Sequence, residues 1–290
     1  RGSSLSLLLL SILLSVNVSK AALVSEDVFE AKYDFSTEYN GEEFEVAEDG
    51  EDILHADDIT LNAEVDFNPI YKARPRSLAS KLTSTRSKQI GYCSSDAKYT
   101  VSGLTASEKQ YILDLHNYYR NLVAKGAAPG QPGAKDMLKM VWDDEVAARA
   151  QAWADRCTFA HSKKSSRRTS KFSDLGQNLA IIYPTTDVTT DWLRFVRGWY
   201  NEVTKYKGSV LNYKLIKGTE HYTQMVWADS YALGCGFKKY IKGGRYNHLL
   251  VCHYGPAGNV LTLKVYTPGK FDPKDCKNGA SVIFTYLCLA

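Results

Sequence analysis

The six cysteines are the feature that most restricts the fold of this 290-residue chain. They are Cys93, Cys157, Cys235, Cys252, Cys276 and Cys288, an even set without the C-x-x-C spacing of zinc ribbons and thioredoxin-like redox sites. They follow residues 1–22, where a basic Arg1 precedes an apolar run that is typical of a secretory signal peptide. That run is shorter than the roughly 20 residues that span a bilayer. Because disulfides persist in exported proteins, the sequence predicts a secreted domain held by three disulfides.

A β-hairpin is predicted around Gly243 and Gly244, which suit a tight primed turn between two strand-like runs. Counting outward from these two loop residues places Cys235 opposite Cys252, at a position without direct ladder hydrogen bonds. The backbones are close enough there for a cross-strand disulfide. The other predicted pairs are Cys276 with Cys288, which flank a short C-terminal loop, and then Cys93 with Cys157, the two that remain.

Two helices are predicted from their caps. Thr105 and Glu108 form a capping box, and Gly126 offers a left-handed stop, so the first helix runs to about residue 125. Asp143 is the predicted cap of a second helix. Its expected inward face is Val146, Ala150, Trp153, Ala154 and Cys157.

A third helix is predicted at about residues 191–206, with one apolar stripe. The stripe consists of Trp192, Phe195, Val196, Trp199 and Val203. Glu202 falls at the edge of this stripe, and a carboxylate beside an apolar face needs a partner. Helices, a hairpin and no alternating βα units predict an α+β fold, a three-layer α-β-α sandwich around a central mixed, mainly antiparallel sheet.

An acidic arm precedes the basic part of the chain. Residues 26–66 contain about sixteen Asp and Glu, and their only Lys or Arg is Lys32. This composition favours disorder. Residues 72–77 then cluster bases beside a proline, as in an exposed processing site. The predicted organisation is a signal peptide (1–22), a candidate propeptide (23–76), a linker (77–92), the folded domain (93–268) and a C-terminal extension with a disulfide loop (269–290).

Residues 67–290 carry a net charge of roughly +17, whereas the whole chain carries only +4. Such a domain favours anionic surfaces, although scattered lysines equally serve the solubility of a secreted domain. Nucleic acid is disfavoured as a partner because no recognition motif accompanies the charge. No second apolar run is long enough to predict a transmembrane segment.

Four short segments carry a family resemblance. Residues 218–227 read Gly-Thr-Glu-His-Tyr-Thr-Gln-Met-Val-Trp, and residues 248–259 read His-Leu-Leu-Val-Cys-His-Tyr-Gly-Pro-Ala-Gly-Asn. With His-Asn-Tyr-Tyr-Arg at 116–120 and Gly-Gln-Asn at 176–178, they resemble the cysteine-rich secretory protein, antigen 5 and pathogenesis-related 1 (CAP) family, and most closely arthropod venom allergen 5. The resemblance covers about residues 93–268. Its signature positions here are His116, Asn117, Arg120, Gly176, Asn178, Tyr222, Thr223, Gln224, Trp227, Tyr254, Pro256, Gly258 and Asn259.

The resemblance implies a central cleft with two histidines and two acids, in which some members bind zinc or another divalent cation. The matching residues here are His161, Gln177, Glu202 and His221. Since one acid is an amide, we expect a site weaker than a two-carboxylate site. Glu202 can instead orient a histidine through its ring N–H, and the cleft can simply be a polar brace. His116 and His253 are interpreted as packing histidines, and His248 receives no role.

Three functions remain open at this point. The resemblance implies a non-enzymatic venom or salivary protein that binds a small hydrophobic ligand, such as a sterol, fatty acid or eicosanoid. A hydrolase would need a metal-activated water with His161 or His221 and Glu202, because no G-x-S-x-G motif occurs and every cysteine has a predicted disulfide partner. The third function is a toxin component that engages a host receptor through surface loops.

Overall fold

The computed structural model describes residues 44–46, 93 and 98–290. This part of the chain contains six strands: β1 Phe44–Val46, β2 Lys98–Ser102, β3 Val141–Trp142, β4 Gly176–Ile182, β5 Ala232–Lys242 and β6 Arg245–Gly255. Its α-helices are α1 Ala106–Lys125, α2 Asp144–Ala154, α3 Trp192–Asn201 and α4 Glu220–Met225, with 3-10 turns at Lys164–Ser166, Glu202–Thr204 and Pro273–Asp275. Among these described helices, none combines the length and apolar character needed to cross a membrane.

The strands form one mixed sheet in the order β1-β4-β6-β5-β2, with β3 pairing to β5. Only the β3–β5 pair is parallel among the described strands, so the sheet is mainly antiparallel as predicted. The β5–β6 hairpin has the predicted register, since Lys242 pairs with Arg245 and Cys235 pairs with Cys252. The Cα atoms of the two cysteines are 4.1 Å apart, which suits the cross-strand disulfide.

Helices cover both faces of the sheet. On one face Ala150 and Ala154 of α2 join the apolar cluster of the strands, with Leu179, Ile181, Leu249 and Val251. The other face carries α1, α3 and α4. Trp192 of α3 packs edge-on against Phe237 of β5, and Asn178 of β4 donates to the His221 carbonyl of α4. The predicted three-layer sandwich is therefore confirmed.

Two strand glycines let α2 pack directly against β5. A Cβ atom on Gly236 would lie 2.3 Å from the Gln151 Cα, and one on Gly234 would lie 2.1 Å from the Ala147 nitrogen. Both neighbours are helix backbone, which cannot rotate away as a flexible side chain can. We expect Gly236→Ala to cost about 3 kcal/mol or more of the free energy of unfolding, measured by urea denaturation.

Gly243→Ala is the matched control for this prediction. Gly243 has φ 58°, but its Cβ position meets only open space. The expected cost is about 1–2 kcal/mol, from the left-handed backbone alone. Equal losses for the two variants would contradict the close approach of α2 and β5.

The caps of α1 and α2 are confirmed, and two helix ends are not where the sequence placed them. The Thr105 N–H donates to Glu108 Oε2 at 2.7 Å, and Gly126 ends α1 with φ 82°. Asp143 Oδ1 accepts the amides at the start of α2. However, α2 stops at Ala154, so the assignment of Cys157 to the helix was wrong; Cys157 is buried in a turn with φ 52°.

The third helix was also predicted too long. The α-helical hydrogen bonding of α3 ends at Asn201, and the chain tightens into a 3-10 turn. This turn places Glu202 and Val203 in the interior. The carboxylate that the sequence put at the edge of the stripe therefore lies on a separate turn.

All six cysteines are in disulfides, paired as Cys93–Cys157, Cys235–Cys252 and Cys276–Cys288. The C-terminal segment is docked on the domain, because the Cys288 N–H donates to the Met137 carbonyl at 2.9 Å and Leu287 is fully buried. Of the arm, Phe44–Val46 form β1 and pair with β4, which the composition did not predict. The signal peptide, the linker and the rest of the candidate propeptide lie outside the described residues.

Candidate functional site

Glu202 and His221 form a buried pair between the turn after α3 and helix α4. His221 Nδ1 lies 2.7 Å from Glu202 Oε1, and Glu202 Oε2 accepts the Tyr222 N–H at 3.0 Å. Glu202 is 8% exposed and His221 is 2% exposed. The Trp199 indole lies parallel to the His221 ring, with centroids 6.2 Å apart and an interplanar angle of 9°. The carboxylate and the indole together fix the orientation of the imidazole.

His161 and Gln177 form a second hydrogen-bonded set, which also includes His253. Gln177 Oε1 accepts the Ser162 N–H at 3.0 Å and the His161 Nδ1–H at 2.8 Å. Gln177 Nε2 lies 3.1 Å from the Ser162 hydroxyl and 2.8 Å from His253 Nε2. Burial, followed by the nearby charges of Arg167 and His161, lowers the pKa of His253 to about 3. His253 is therefore a neutral acceptor at physiological pH.

These contacts determine the tautomers of the two candidate metal ligands. Because an oxygen acceptor faces Nδ1 in both His161 and His221, each ring in its neutral form carries its proton on Nδ1 and its lone pair on Nε2. A histidine that binds a metal is normally held in this way by a hydrogen bond from its other nitrogen. The donor chemistry of the two rings therefore fits a borderline cation such as zinc.

Gln177 adds nothing to such a donor set in this arrangement, because its carbonyl oxygen already accepts two hydrogen bonds. Among residues 98–290 and the other described positions, no group of three or more His, Cys, Asp and Glu is arranged to hold a metal ion. Side chains alternate along β4, so Gln177 points to the α2 face while Asn178 points to the opposite face. The contacts thus join the four residues as two pairs, and their convergence on one metal stays a prediction.

The sequence of this chain is similar to that of known proteins. The model of the cysteine-rich secretory protein (CAP) family matches residues 113–254. Scoloptoxin SSD976 of Scolopendra dehaani is 42% identical over 191 residues, which cover 65% of this chain and 87% of that protein. The chain belongs to the CAP family.

The chain is also similar to other CAP proteins, in sequence and in fold. Venom allergen 5 of Vespula vidua is 43% identical over 170 residues, which cover 57% of this chain and 81% of that protein. The solved structure described as the crystal structure of NaASP2 with Zn2+ has a TM-score of 0.52 and 30% identity, and the match covers 64% of this chain and 97% of that one. Both sequence and fold therefore support the assignment.

In this CAP protein His116 is a packing histidine, as interpreted from the sequence. Its Nδ1 lies 2.7 Å from the Ile112 carbonyl, and its Nε2 lies 2.9 Å from the Tyr254 hydroxyl, which also accepts from Asn178 Nδ2 at 3.1 Å. Burial is the main cause that lowers the pKa of His116 to about 4. The ring is therefore neutral and its hydrogen bonds are satisfied.

Arg120 is the most heavily engaged signature residue of the CAP domain. Its guanidinium is fully buried, and its N–H groups donate to five backbone carbonyls, those of Leu138, Met225, Trp227, Ala228 and Ser230. Burial lowers its pKa to about 9. Four of these carbonyls lie at or just after the end of α4, so Arg120 is a positioning residue for the helix that carries His221.

Other signature residues brace the same region. Asn117 exchanges two hydrogen bonds with the Met140 backbone, at 2.7 and 3.0 Å. Gln224 Oε1 accepts the Gly258 N–H at 3.0 Å, and the Thr223 hydroxyl donates to Asn259 Oδ1 at 2.8 Å. The signature therefore holds the loops around α4 in place.

Sequence reasoning missed the contributions of His253, Ser162 and Trp199 to these two sets. The signal for His253 was the strand register, since Gln177 pairs directly with His253 across β4 and β6. A register argument like that used for the hairpin would have found this contact once the pairing of β4 with β6 was known.

Proposed function

We propose that this CAP protein is a secreted, venom-type protein that acts by binding rather than by catalysis. The venom allergen and the scoloptoxin to which it is similar support the setting, as do its three disulfides. The observation that carries the proposal is the state of Glu202, whose two oxygens are both engaged, one by His221 and one by the Tyr222 amide. A carboxylate in this position orients an imidazole and does not act as a general base.

The ligand that the two imidazoles suit is a divalent cation, held weakly through Nε2 of His161 and Nε2 of His221. A bound cation would supply positive charge for an anionic ligand group, and Glu202 and Gln177 would keep the two rings oriented. Zinc is named in the description of the NaASP2 structure, to which this chain is similar. Two neutral ligands and no carboxylate ligand make the proposed affinity low.

The Gln177→Glu variant tests this proposal. It places a carboxylate beside His161, and we expect zinc affinity to rise by about tenfold or more, measured by titration calorimetry and by the zinc-induced shift in melting temperature. The lost amide donor faces His253 Nε2, so the variant should also be less stable without zinc.

His221→Ala should abolish the zinc response, whereas His248→Gln, at a position outside both hydrogen-bonded sets, should keep it. A zinc heat that persists in His221→Ala would overturn the metal proposal. A peptidase rate that falls in Glu202→Gln while the melting temperature is unchanged would overturn the non-catalytic proposal.

For a second ligand class we propose a small hydrophobic molecule, a sterol, fatty acid or eicosanoid, at the tyrosine-rich contact between α1 and α3. Tyr119 stacks on Tyr200 with ring centroids 4.2 Å apart, and Tyr118 and Tyr222 pack edge-on against this pair. Sites for apolar ligands are lined mainly by hydrophobic and aromatic side chains and often lie between helices, as these tyrosines do. Organic extraction of the secreted protein followed by mass spectrometry should find a stoichiometric lipid, and its absence from protein made in lipid-replete cells would count against the site.

A further inference from the structure

Exposed aliphatic side chains are concentrated at one place on the surface. Five of the large apolar residues exposed in the described part of the chain lie on two neighbouring segments, residues 211–215 and 260–263. We call them the leucine patch: Leu211 (59% exposed), Leu215 (55%), Val260 (42%), Leu261 (60%) and Leu263 (53%). A single exposed leucine needs no explanation, but a contiguous group of them marks an interaction surface.

Backbone hydrogen bonds bring the two segments together. The Val265 N–H donates to the Val210 carbonyl at 2.7 Å. The Tyr213 N–H donates to the Leu263 carbonyl at 2.7 Å, and the Tyr213 carbonyl accepts the Thr262 N–H at 3.0 Å. The buried Tyr213 ring packs edge-on against Trp227. The patch is therefore built on an ordered base, and its leucines do not turn inward to cover one another.

The two chain segments that carry the leucine patch have charge of one sign. Residues 203–219 and 256–271 contain no Asp or Glu. Their basic residues are Lys205, Lys207, Lys214, Lys217, Lys264 and Lys270. Asp136, from outside these segments, pairs with Lys264 at 2.5 Å. Lys214 directly precedes Leu215, and Lys264 directly follows Leu263, so positive charges border the apolar side chains.

We propose that the leucine patch docks this protein on an anionic lipid bilayer. The leucines enter the boundary between headgroups and acyl chains, and the lysines remain among the lipid phosphates. A bilayer suits these observations better than a protein partner, because the leucines are exposed on both segments and Lys214 and Lys264 adjoin them in the sequence. The roughly +17 charge of residues 67–290 adds long-range attraction to the same surface. The proposal does not depend on the metal or hydrophobic-ligand sites.

Sedimentation of the secreted protein with lipid vesicles tests the proposal. We expect binding to phosphatidylcholine vesicles that contain on the order of 30 mol% phosphatidylserine, and at least about tenfold weaker binding to pure phosphatidylcholine. Leu261→Ser combined with Leu263→Ser should weaken binding to the anionic vesicles by about tenfold. Lys207→Glu combined with Lys214→Glu should do the same and should reduce the salt dependence.

Val188→Ser is the matched control, since Val188 is also exposed but lies outside both segments. It should bind vesicles as the wild type does, and all variants should keep the wild-type melting temperature because only exposed side chains change. A wild-type protein that stays in solution with anionic vesicles overturns the proposal. The leucine patch would then be a surface for a protein partner. Serine variants that bind as tightly as the wild type also overturn it, because charge alone would then explain the binding.

Discussion

Replacing Arg120 with methionine should cost about 3–5 kcal/mol of the free energy of unfolding, the largest expected effect of a single substitution in this domain. Methionine approximates the volume of the aliphatic stem but donates no hydrogen bond. Five backbone carbonyls would lose the guanidinium as a donor. The Trp227 and Ala228 carbonyls still accept the Ser230 and Leu138 N–H groups. The loss therefore falls mainly on the carbonyls of Leu138, Met225 and Ser230, and each buried polar group without a partner costs about 1–3 kcal/mol. Removing the buried charge offsets part of this loss, since burial already lowers the arginine pKa to about 9.

Urea denaturation of Arg120→Met, compared with Arg149→Met, measures this effect. Arg149 is exposed on α2, so its replacement should change stability by less than about 0.5 kcal/mol. Arg120→Lys should lie between the two, because an ammonium has three donors for five carbonyls. If Arg120→Met unfolds at the same urea concentration as Arg149→Met, the guanidinium does not stabilise the region around α4.

Acidification should destabilise the folded protein well before its carboxylates titrate. Burial is the first cause that lowers the pKa of His116 and of His248 to about 4 and that of His253 to about 3. In the unfolded chain each titrates near 6.5. Below pH 6.5 the unfolded state therefore binds more protons than the fold, and stability falls as the pH falls toward 4. Each histidine contributes a slope of up to about 1.4 kcal/mol per pH unit.

Urea denaturation at a series of pH values between 7 and 4.5 measures this dependence. Burial raises the carboxyl pKa of Asp191 and of Glu220, which works in the opposite direction, but only near the ordinary carboxyl range at the acidic end of the series. His248→Phe keeps a ring beside Phe237 and removes one titrating group, so its slope should be about one third smaller. A flat profile between pH 6.5 and 5 would contradict the neutral buried state of the three rings.

The features predicted from the sequence are those that depend on near neighbours or on simple periodicity. The capping box joins Thr105 to a residue three positions away, and a two-glycine turn sets the register that brings Cys235 to Cys252. The alternation of apolar residues in strands and their spacing in helices indicated which side of each element faces inward. This was enough to predict the fold class. The helix ends were less well predicted, because the switch from α to 3-10 geometry before Glu202 depends on what the turn packs against.

Only the tertiary structure decided which buried polar groups meet. The sequence required a partner for Glu202 without showing that it is His221, 19 positions away. Nor did it show that Gln177 forms hydrogen bonds with both His161 and His253. It also did not show that Arg120 donates to backbone carbonyls more than 100 positions away in the sequence. A hydrogen bond within one turn is determined by the local backbone, whereas the partner of a buried side chain depends on how separate helices and strands pack together.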